Sequence, residues 1–257
     1  MTQVLPTGDE AQKAVVEMLA ASDRILVFTG AGISTASGIP DYRGPHGVWN
    51  TRRPVYYQEF MTSEPARISY WQQKLEDNEE FSSAQPNAVH LAIAQLESLG
   101  KVLMVVTQNV DGLHRRAGTS EKRLVEIHGT NGQVECQSCG DRSEPGVHMA
   151  RFAASGTCPL CDCGGYLKSA TISFGQSLRS VDMERAVASA EAADLAISLG
   201  SSLVVYPAAD IPLHAVRTGA SYIVVNRGET DHDRNPMVDL RIEGDVMDVI
   251  PAAVAAL

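Results

Sequence analysis

Arg24-Ile25-Leu26-Val27-Phe28-Thr29 runs directly into Gly30-Ala31-Gly32-Ile33-Ser34. A short apolar run of this kind is the pattern of a strand buried on both faces. A strand ending in a Gly-x-Gly turn is the usual opening of a nucleotide-binding βα unit. The pattern recurs outward along the chain. Val102-Leu103-Met104-Val105-Val106 ends in Thr107-Gln108-Asn109-Val110-Asp111, and Leu195–Leu199 ends in Gly200-Ser201-Ser202. Tyr222–Val225, expected as the last strand, ends in Asn226-Arg227-Gly228. Helical spacing lies between. Ala11, Ala14, Val15, Met18 and Leu19 precede the first strand, and Val89, Ala92, Ile93, Leu96 and Leu99 follow Pro86 and stop at Gly100. Further helices are expected near 180–192 and 207–218. The alternation predicts an α/β fold: a Rossmann-like parallel sheet with helices on both faces.

The chain has 257 residues, 44% of them apolar and 20% charged, which suits one large globular domain with a small insert. Its 21 Lys and Arg against 31 Asp and Glu leave a net charge of −10, which argues against neutralising the phosphates of duplex nucleic acid. No apolar run approaches the ~18 residues of a membrane span. The opening MTQVLPTGDEAQKAVVEML carries acids early and no Arg-rich or long apolar stretch. The expectation is a cytoplasmic monomer with no nucleic-acid or membrane partner.

All five cysteines lie between Cys136 and Cys163. Cys136 and Cys139 form one C-x2-C pair, Cys158 and Cys161 another, at the spacing of a structural zinc site. Gly140 and Pro159 suit the tight turns that would present two thiolates each. Cys163, just before Gly164-Gly165, is an alternative fourth ligand in place of Cys161. A disulfide cluster fits poorly with an odd count and a cytoplasmic setting. Four thiolates would leave no open coordination position, so the expected metal is structural. Residues 133–168 then form a zinc-ribbon domain. Residues 41–83, which hold both tryptophans (Trp49 and Trp71), form a helical insertion, with a helix from about Pro65 to Leu75.

In open α/β sheets, ligands bind beyond the carboxyl ends of the strands. Four polar strand ends on one rim would build one site. The dinucleotide fingerprint is incomplete, because Thr35 stands where its third glycine would be. His128, just ahead of the cysteine segment, is the candidate general base, with a hydrogen-bonded structural histidine as the alternative.

Read together, these segments resemble the signature of the sirtuins, the NAD-dependent protein deacylases. Gly30-Ala31-Gly32-Ile33-Ser34 followed by Ser37-Gly38-Ile39-Pro40-Asp41-Tyr42-Arg43-Gly44 carries the resemblance, as does Thr107-Gln108-Asn109-Val110-Asp111-Gly112-Leu113-His114. His128-Gly129, the cysteine pairs, Phe174-Gly175, Gly200-Ser201-Ser202-Leu203 and Asn226 follow in the family's order. Pro40-Asp41-Tyr42-Arg43, Arg52-Arg53-Pro54, Phe81-Ser82-Ser83 and Gln85-Pro86-Asn87 with His90 are similar to the class II, mitochondrial-type branch, here in a bacterial cytoplasmic form.

The resemblance implies an NAD-dependent protein lysine deacylase of deacetylase type. NAD would be consumed as co-substrate, with transfer of the acyl group to ADP-ribose and release of nicotinamide, O-acyl-ADP-ribose and free lysine. It implies His128 as general base, with Asn109 and Asp111 holding the ribose and nicotinamide carboxamide. Ile39, Asp41, Tyr42 and Arg43 would form the cofactor loop. Gly30, Ala31, Gly32, Gln108, Gly200, Ser201, Ser202, Asn226 and Gly228 would line the rest of the cofactor site. The partner would be an acylated-lysine protein or peptide, added as a strand between Phe174-Gly175 and Leu203-Val204-Val205; plain core is the other reading of Leu203–Val205. Residues 1–40, 84–132 and 169–257 would be the NAD-binding domain. Ala36 and Gln176 stand where many sirtuins have glutamate. The Tyr-x-x-Arg pair of desuccinylase-like members has its nearest analogue in Trp49-x-x-Arg52, which leaves Arg52 or Arg53 as candidates for an acidic acyl tail or as plain surface. The competing functions are NAD-dependent protein ADP-ribosylation on the same scaffold and a non-catalytic zinc-ribbon binding module.

Overall fold

The computed structural model describes residues 2–44 and 47–257. Its strands are β1 (Gln3–Pro6), β2 (Ile25–Thr29), β3 (Val102–Thr107), β4 (Leu124–Glu126), β5 (Gly129–Cys136), β6 (Arg142–Ser143), β7 (Leu167–Thr171), β8 (Leu195–Leu199), β9 (Ser221–Asn226) and β10 (Leu240–Glu243). Its helices are α1 (Asp9–Ala21), α2 (Tyr57–Thr62), α3 (Glu64–Ser83), α4 (Ala88–Ser98), α5 (Leu113–Arg116), α6 (Pro145–Ser155), α7 (Ser180–Glu191), α8 (Ile211–Arg217) and α9 (Ile250–Ala255).

Seven strands pair in the order β1-β10-β9-β8-β2-β3-β4, and every pairing is parallel. Parallel strands buried on both faces need no apolar–polar alternation, which is why β2 and β8 are buried along their whole length. Alternate residues still choose sides. Ile25 and Val27 of β2 pack in the core formed with α1, α4 and α9, while Leu26 and Phe28 pack in the core formed with α7 and α8. The chain leaves β2 toward β3 and β4 on one side, and β8, β9 and β10 extend the sheet on the other. The strand order therefore reverses at β2 and β8, and a crevice opens beyond their carboxyl ends.

The sheet is wider than its clear sequence signals. β10 continues it beyond β9, which was expected to be last, and β1 forms the edge. In β10 the apolar pattern is broken by Arg241. This side chain is 3% exposed, paired with Asp233 and donating to the Asn226 and Gly228 carbonyls. The helix expected from about Pro65 to Leu75 runs from Glu64 to Ser83. Ser63 accepts from the Ala66 N–H at its start, and its second half is largely polar. The helix expected near 207–218 is split into a 3₁₀ turn at Ala208–Asp210 and α8.

A second sheet, β6-β5-β7, is antiparallel. It does not stand alone. Val134, Cys136, Leu167 and Phe152 share one core with Phe60, Tyr70 and Trp71 of α2 and α3. The helical insertion and the cysteine-bearing segment thus pack on each other, and the main cavity lies between them and the large sheet.

Candidate active site

The site begins where three glycines meet. The Gly30 N–H donates to the Leu199 carbonyl at 3.0 Å, and the Gly32 N–H to the Gly200 carbonyl at 2.8 Å. A Cβ on Gly30 or Gly32 would come within 2.7 or 2.8 Å of the Gly200 carbonyl oxygen. Gly200 has φ +61°, and a Cβ there would lie 2.6 Å from the Ile33 nitrogen. Side chains are excluded at all three positions, so backbone faces the cavity from two strand ends at once. The cavity has a volume of about 1330 Å³, large enough for a dinucleotide and part of a second ligand.

Gln108 and Asn109 leave β3 in different directions. The Gln108 side-chain amide donates to Ser201 Oγ at 2.8 Å, bridging the ends of β3 and β8. The Asn109 amide is 7% exposed and donates to the Gly30 carbonyl and to Ser34 Oγ, both at 3.1 Å. Ser34 Oγ in turn donates to Asp111 Oδ2 at 2.7 Å, and Asp111 Oδ1 accepts the Leu113 N–H at 2.8 Å. Burial raises the Asp111 pKa, and these hydrogen bonds work against that rise. Asp111 stands behind the cavity wall rather than on it, joined to the surface through Ser34 and Asn109.

His128 lines the cavity. Its Nδ1 lies 3.1 Å from the Gln108 carbonyl oxygen. A carbonyl can only accept, so Nδ1 carries the proton and Nε2 is left with a lone pair. Burial lowers the pKa of His128, and the Arg43 charge lowers it further, against the opposing effect of the Gln108 bond. A neutral imidazole with a free acceptor nitrogen is the form a general base requires.

Asp41, Tyr42 and Arg43 form one cavity wall. The Arg43 guanidinium lies 4.1 Å over the Trp49 ring, and burial lowers its pKa. Trp49 also packs against Tyr42 at 5.0 Å and Phe174 at 5.1 Å between ring centroids, and Tyr56 meets Phe174 from the other side. The Tyr42 phenol is pushed up to about 12, by burial first and then by Asp77 and Asp111. Ile39 is not on the cavity surface. It is buried with Ala84 and Leu113 behind the loop.

At the far end, Asn226 and Gly228 line the cavity, with the Asn226 amide donating to the Gly228 carbonyl at 2.9 Å. Ala31 and Ser202 also line it. Of the expected peptide groove, Phe174, Gly175 and Val205 line the cavity. Leu203 is wholly buried in the α7–α8 core, at φ +57°, and Val204 is not on the cavity surface and is 38% exposed. Gln176 accepts the Ser173 N–H through Oε1 at 3.1 Å, a bond an amide makes as well as a carboxylate.

Tyr70, Lys74 and Asp77 of α3 complete the wall and were not singled out from sequence, whereas Phe81, which joins them there, was part of the family-like pattern. Lys74 Nζ donates to Asn131 Oδ1 at 2.9 Å, tying α3 to β5. Only the fold brings these two residues together, so no local pattern announces them. Arg52 is paired with Asp77 and Glu76, and Arg53 with Glu59.

The cysteines regroup. Sulfurs of Cys136, Cys139, Cys161 and Cys163 lie within 4.8 Å of one another, and Cys158 is outside the group. Cys163 therefore takes the place expected for Cys158, and Cys161 keeps its own. Gly164 at φ +82° closes a turn in which the Gly164 N–H donates to the Cys161 carbonyl, and this turn presents Cys161 and Cys163 together. Cys158 precedes it and packs partly buried against the aromatic core of α2 and α3. Sγ separations of 3.5 Å (Cys136–Cys163) and 3.7 Å (Cys139–Cys161) fit zinc. In a tetrahedron with Zn–S of about 2.3 Å, the sulfurs stand about 3.8 Å apart.

Residues 30–207 match the model of the Sir2 family. The chain belongs to that family. It is 41% identical over 232 residues, 90% of each chain, to NAD-dependent protein deacetylase 1 of Bradyrhizobium diazoefficiens. It is 38% identical over 248 residues, 96% of this chain and 95% of the relative, to NAD-dependent protein deacylase 2 of Archaeoglobus fulgidus. A solved structure from work on the mechanism and regulation of Sir2 enzymes aligns with a TM-score of 0.84 at 38% identity, over 96% of this chain and 97% of that one. A Sir2 complex with a p53 peptide and NAD+ aligns with a TM-score of 0.82 at 35% identity, over 92% and 94%.

Proposed function

We propose that this Sir2-family chain is an NAD-dependent protein lysine deacylase of deacetylase type. The observation that carries the reading is the placement of His128. Its proton-free Nε2 belongs to a residue on the cavity wall, between the glycine-lined strand ends and the Phe174–Gly175 loop. Relatives named as an NAD-dependent protein deacetylase and an NAD-dependent protein deacylase, and a Sir2 complex with a peptide and NAD+, support the same assignment.

When bound, NAD supplies a ribosyl–nicotinamide bond whose breaking leaves positive charge on the sugar. The chain's own groups are suited to manage that charge. The Gly30, Gly32 and Gly200 backbone would accommodate the phosphates, and Asn226 and Gly228 the adenosine ribose. Asn109, with Asp111 acting through Ser34, would hold the nicotinamide-side ribose and carboxamide. Tyr42, Arg43, Trp49 and Phe174 would close over this end and exclude water, which would otherwise capture the sugar. His128 Nε2 would take the proton from a ribose hydroxyl, while the Gln108 carbonyl keeps Nδ1–H in place.

The acyl-lysine segment would lie between Phe174-Gly175 and Val205, held by main-chain hydrogen bonds. Arg52 and Arg53 are both neutralised by acidic neighbours, which favours an uncharged acyl group. Cys136, Cys139, Cys161 and Cys163 would hold one structural zinc, with no free coordination position for substrate. Among the described residues no helix is long and apolar enough to cross a membrane. Five unpaired cysteines suit the reducing cytoplasm.

The test is a panel of acyl-lysine peptides with NAD, scored for nicotinamide and deacylated peptide together. Equal amounts of both are expected, most rapidly with the acetyl peptide. ADP-ribosylated protein without deacylated peptide, or no NAD binding, overturns the reading.

A further inference from the structure

Asn87 touches no surface of the main cavity, yet its side-chain amide is fully engaged. Oδ1 accepts the Val89 N–H at 3.0 Å, capping α4, and lies 3.1 Å from His90 Nδ1. Nδ2 donates to the Ile33 carbonyl at 2.7 Å and to Ser37 Oγ at 2.9 Å. A helix cap needs only the acceptor. The two donor bonds reach 54 and 50 residues back along the chain, to the turns on either side of Ser34.

These bonds belong to a closed circuit. Asp111 accepts from the Ser34 hydroxyl and from the Leu113 N–H. Leu113 opens α5, which ends at Arg116. The Arg116 guanidinium donates to the Ala84 carbonyl and to Gln85 Oε1, both at 2.7 Å. Two residues later Asn87 returns the circuit to Ile33 and Ser37, and so to Ser34. Ile39, Ala84 and Leu113 pack together inside it. Polar groups fixed at every corner of such a ring hold one another in a single geometry. The group most sensitive to that geometry is Ser34, which both Asn109 and Asp111 address.

We propose that Asn87 is a positioning residue for the Ser34–Asn109–Asp111 cluster, acting through its amide donor and not only as a helix cap. The proposal rests on the assignment of that cluster to the nicotinamide-ribose half of NAD. The donor bonds set where the 31–37 turns sit against Asp111, and hence how well the cluster fits its ligand.

The isosteric variant Asn87→Asp separates the two roles. A carboxylate caps a helix as well as an amide does, but it cannot donate, and its charge would face the negative end of the Ile33 carbonyl dipole. The full chain is assayed for KM of NAD, KM of the acetyl peptide and melting temperature, beside Asn87→Ala and Asn109→Ala. For Asn87→Asp the expected result is about a tenfold rise in KM for NAD. Its peptide KM should stay within about twofold, and its melting temperature should fall less than that of Asn87→Ala, because the cap is kept. Asn87→Ala, which loses the cap as well, should also melt lower. Ser37→Ala removes one acceptor of Nδ2 and should raise KM for NAD by a smaller factor, which keeps the test open should Asn87→Asp fail to fold. If Asn87→Asp leaves KM for NAD unchanged while Asn109→Ala raises it, the positioning role is overturned and the site assignment stands. If Asn87→Asp raises both KM values alike and melts with Asn87→Ala, its role is structural and the proposal fails. If neither Asn87→Asp nor Asn109→Ala affects NAD, the site assignment fails and the proposal with it.

Discussion

Acidification from pH 7 to pH 5 should weaken this fold sharply, through two histidines beneath the site. His90 and His114 are 0% and 2% exposed, with ring centroids 5.1 Å apart. His114 Nε2 meets Thr29 Oγ1 at the end of β2, and His90 Nδ1 meets the Asn87 side chain. Among the described residues, neither has a carboxylate partner. Burial drives the His90 pKa down to about 4 and that of His114 to about 3, the latter also through His90. In the unfolded chain both titrate near 6.5. Between the folded and unfolded values the unfolded chain binds more protons, so stability is complete above about pH 6.5 and is lost as pH falls below it. At about 1.4 kcal/mol per pH unit for each group, the pair should cost about 4 kcal/mol by pH 5. That is a large share of the ~5–15 kcal/mol by which such domains are stable. Urea unfolding at pH 7, 6 and 5, with the slope m held in view, measures it. Burial lowers His128, His148 and His232 as well, so the variants His90→Gln and His114→Gln isolate the pair. Each should remove about half of the paired loss. A stability that is flat from pH 7 to 5, or a pH dependence unchanged in both variants, refutes the burial argument.

His128→Ala should abolish deacylation while NAD binding and the unfolding midpoint stay near the parent's; turnover at the parent rate would remove the histidine from the chemistry. Cys163→Ser should lose bound zinc, as read by metal analysis of the purified protein, whereas Cys158→Ser should keep it; the opposite result would restore the ligand set expected from spacing. Gly129→Ala should fold poorly and lose activity, because a Cβ at φ +76° would lie 2.0 Å from the Ala170 carbonyl oxygen. A cost of about 2–3 kcal/mol in urea unfolding is expected from backbone strain and displacement of β7, and an unaffected midpoint would contradict it.

The central sheet was legible because each of its inner strands states the same thing twice. β2, β3, β8 and β9 are largely apolar strands of five or six residues, and each stops at a polar or glycine-rich end. Burial on both faces demands the first feature, and a site beyond the carboxyl ends demands the second. The outer strands carry no such double signal. β1 is four residues with one buried, and β4 has three residues. β10 hides behind Arg241, whose charge is answered by Asp233 eight residues earlier and by carbonyls of the β9 turn. A buried arginine looks like surface until its partners are known.

The site was legible in its strand ends and obscure where geometry depends on how segments meet. Spacing showed that four cysteines could hold a metal, but C-x2-C is a statement about sequence distance. Which sulfurs converge is decided by the turn at Gly164 and by the close fit of Gly165, where a Cβ would stand 2.6 Å from Cys136 Sγ. The same cysteine closes β5, and β5 begins at Gly129, next to His128. Its partner β7 leads straight to Ile172, whose N–H donates to the His128 carbonyl at 2.8 Å. The strand pair that ends at the candidate metal ligands therefore begins beside His128. The cysteine cluster and the imidazole thus share one strand pair, with a break in its ladder between Gly129 and Val134.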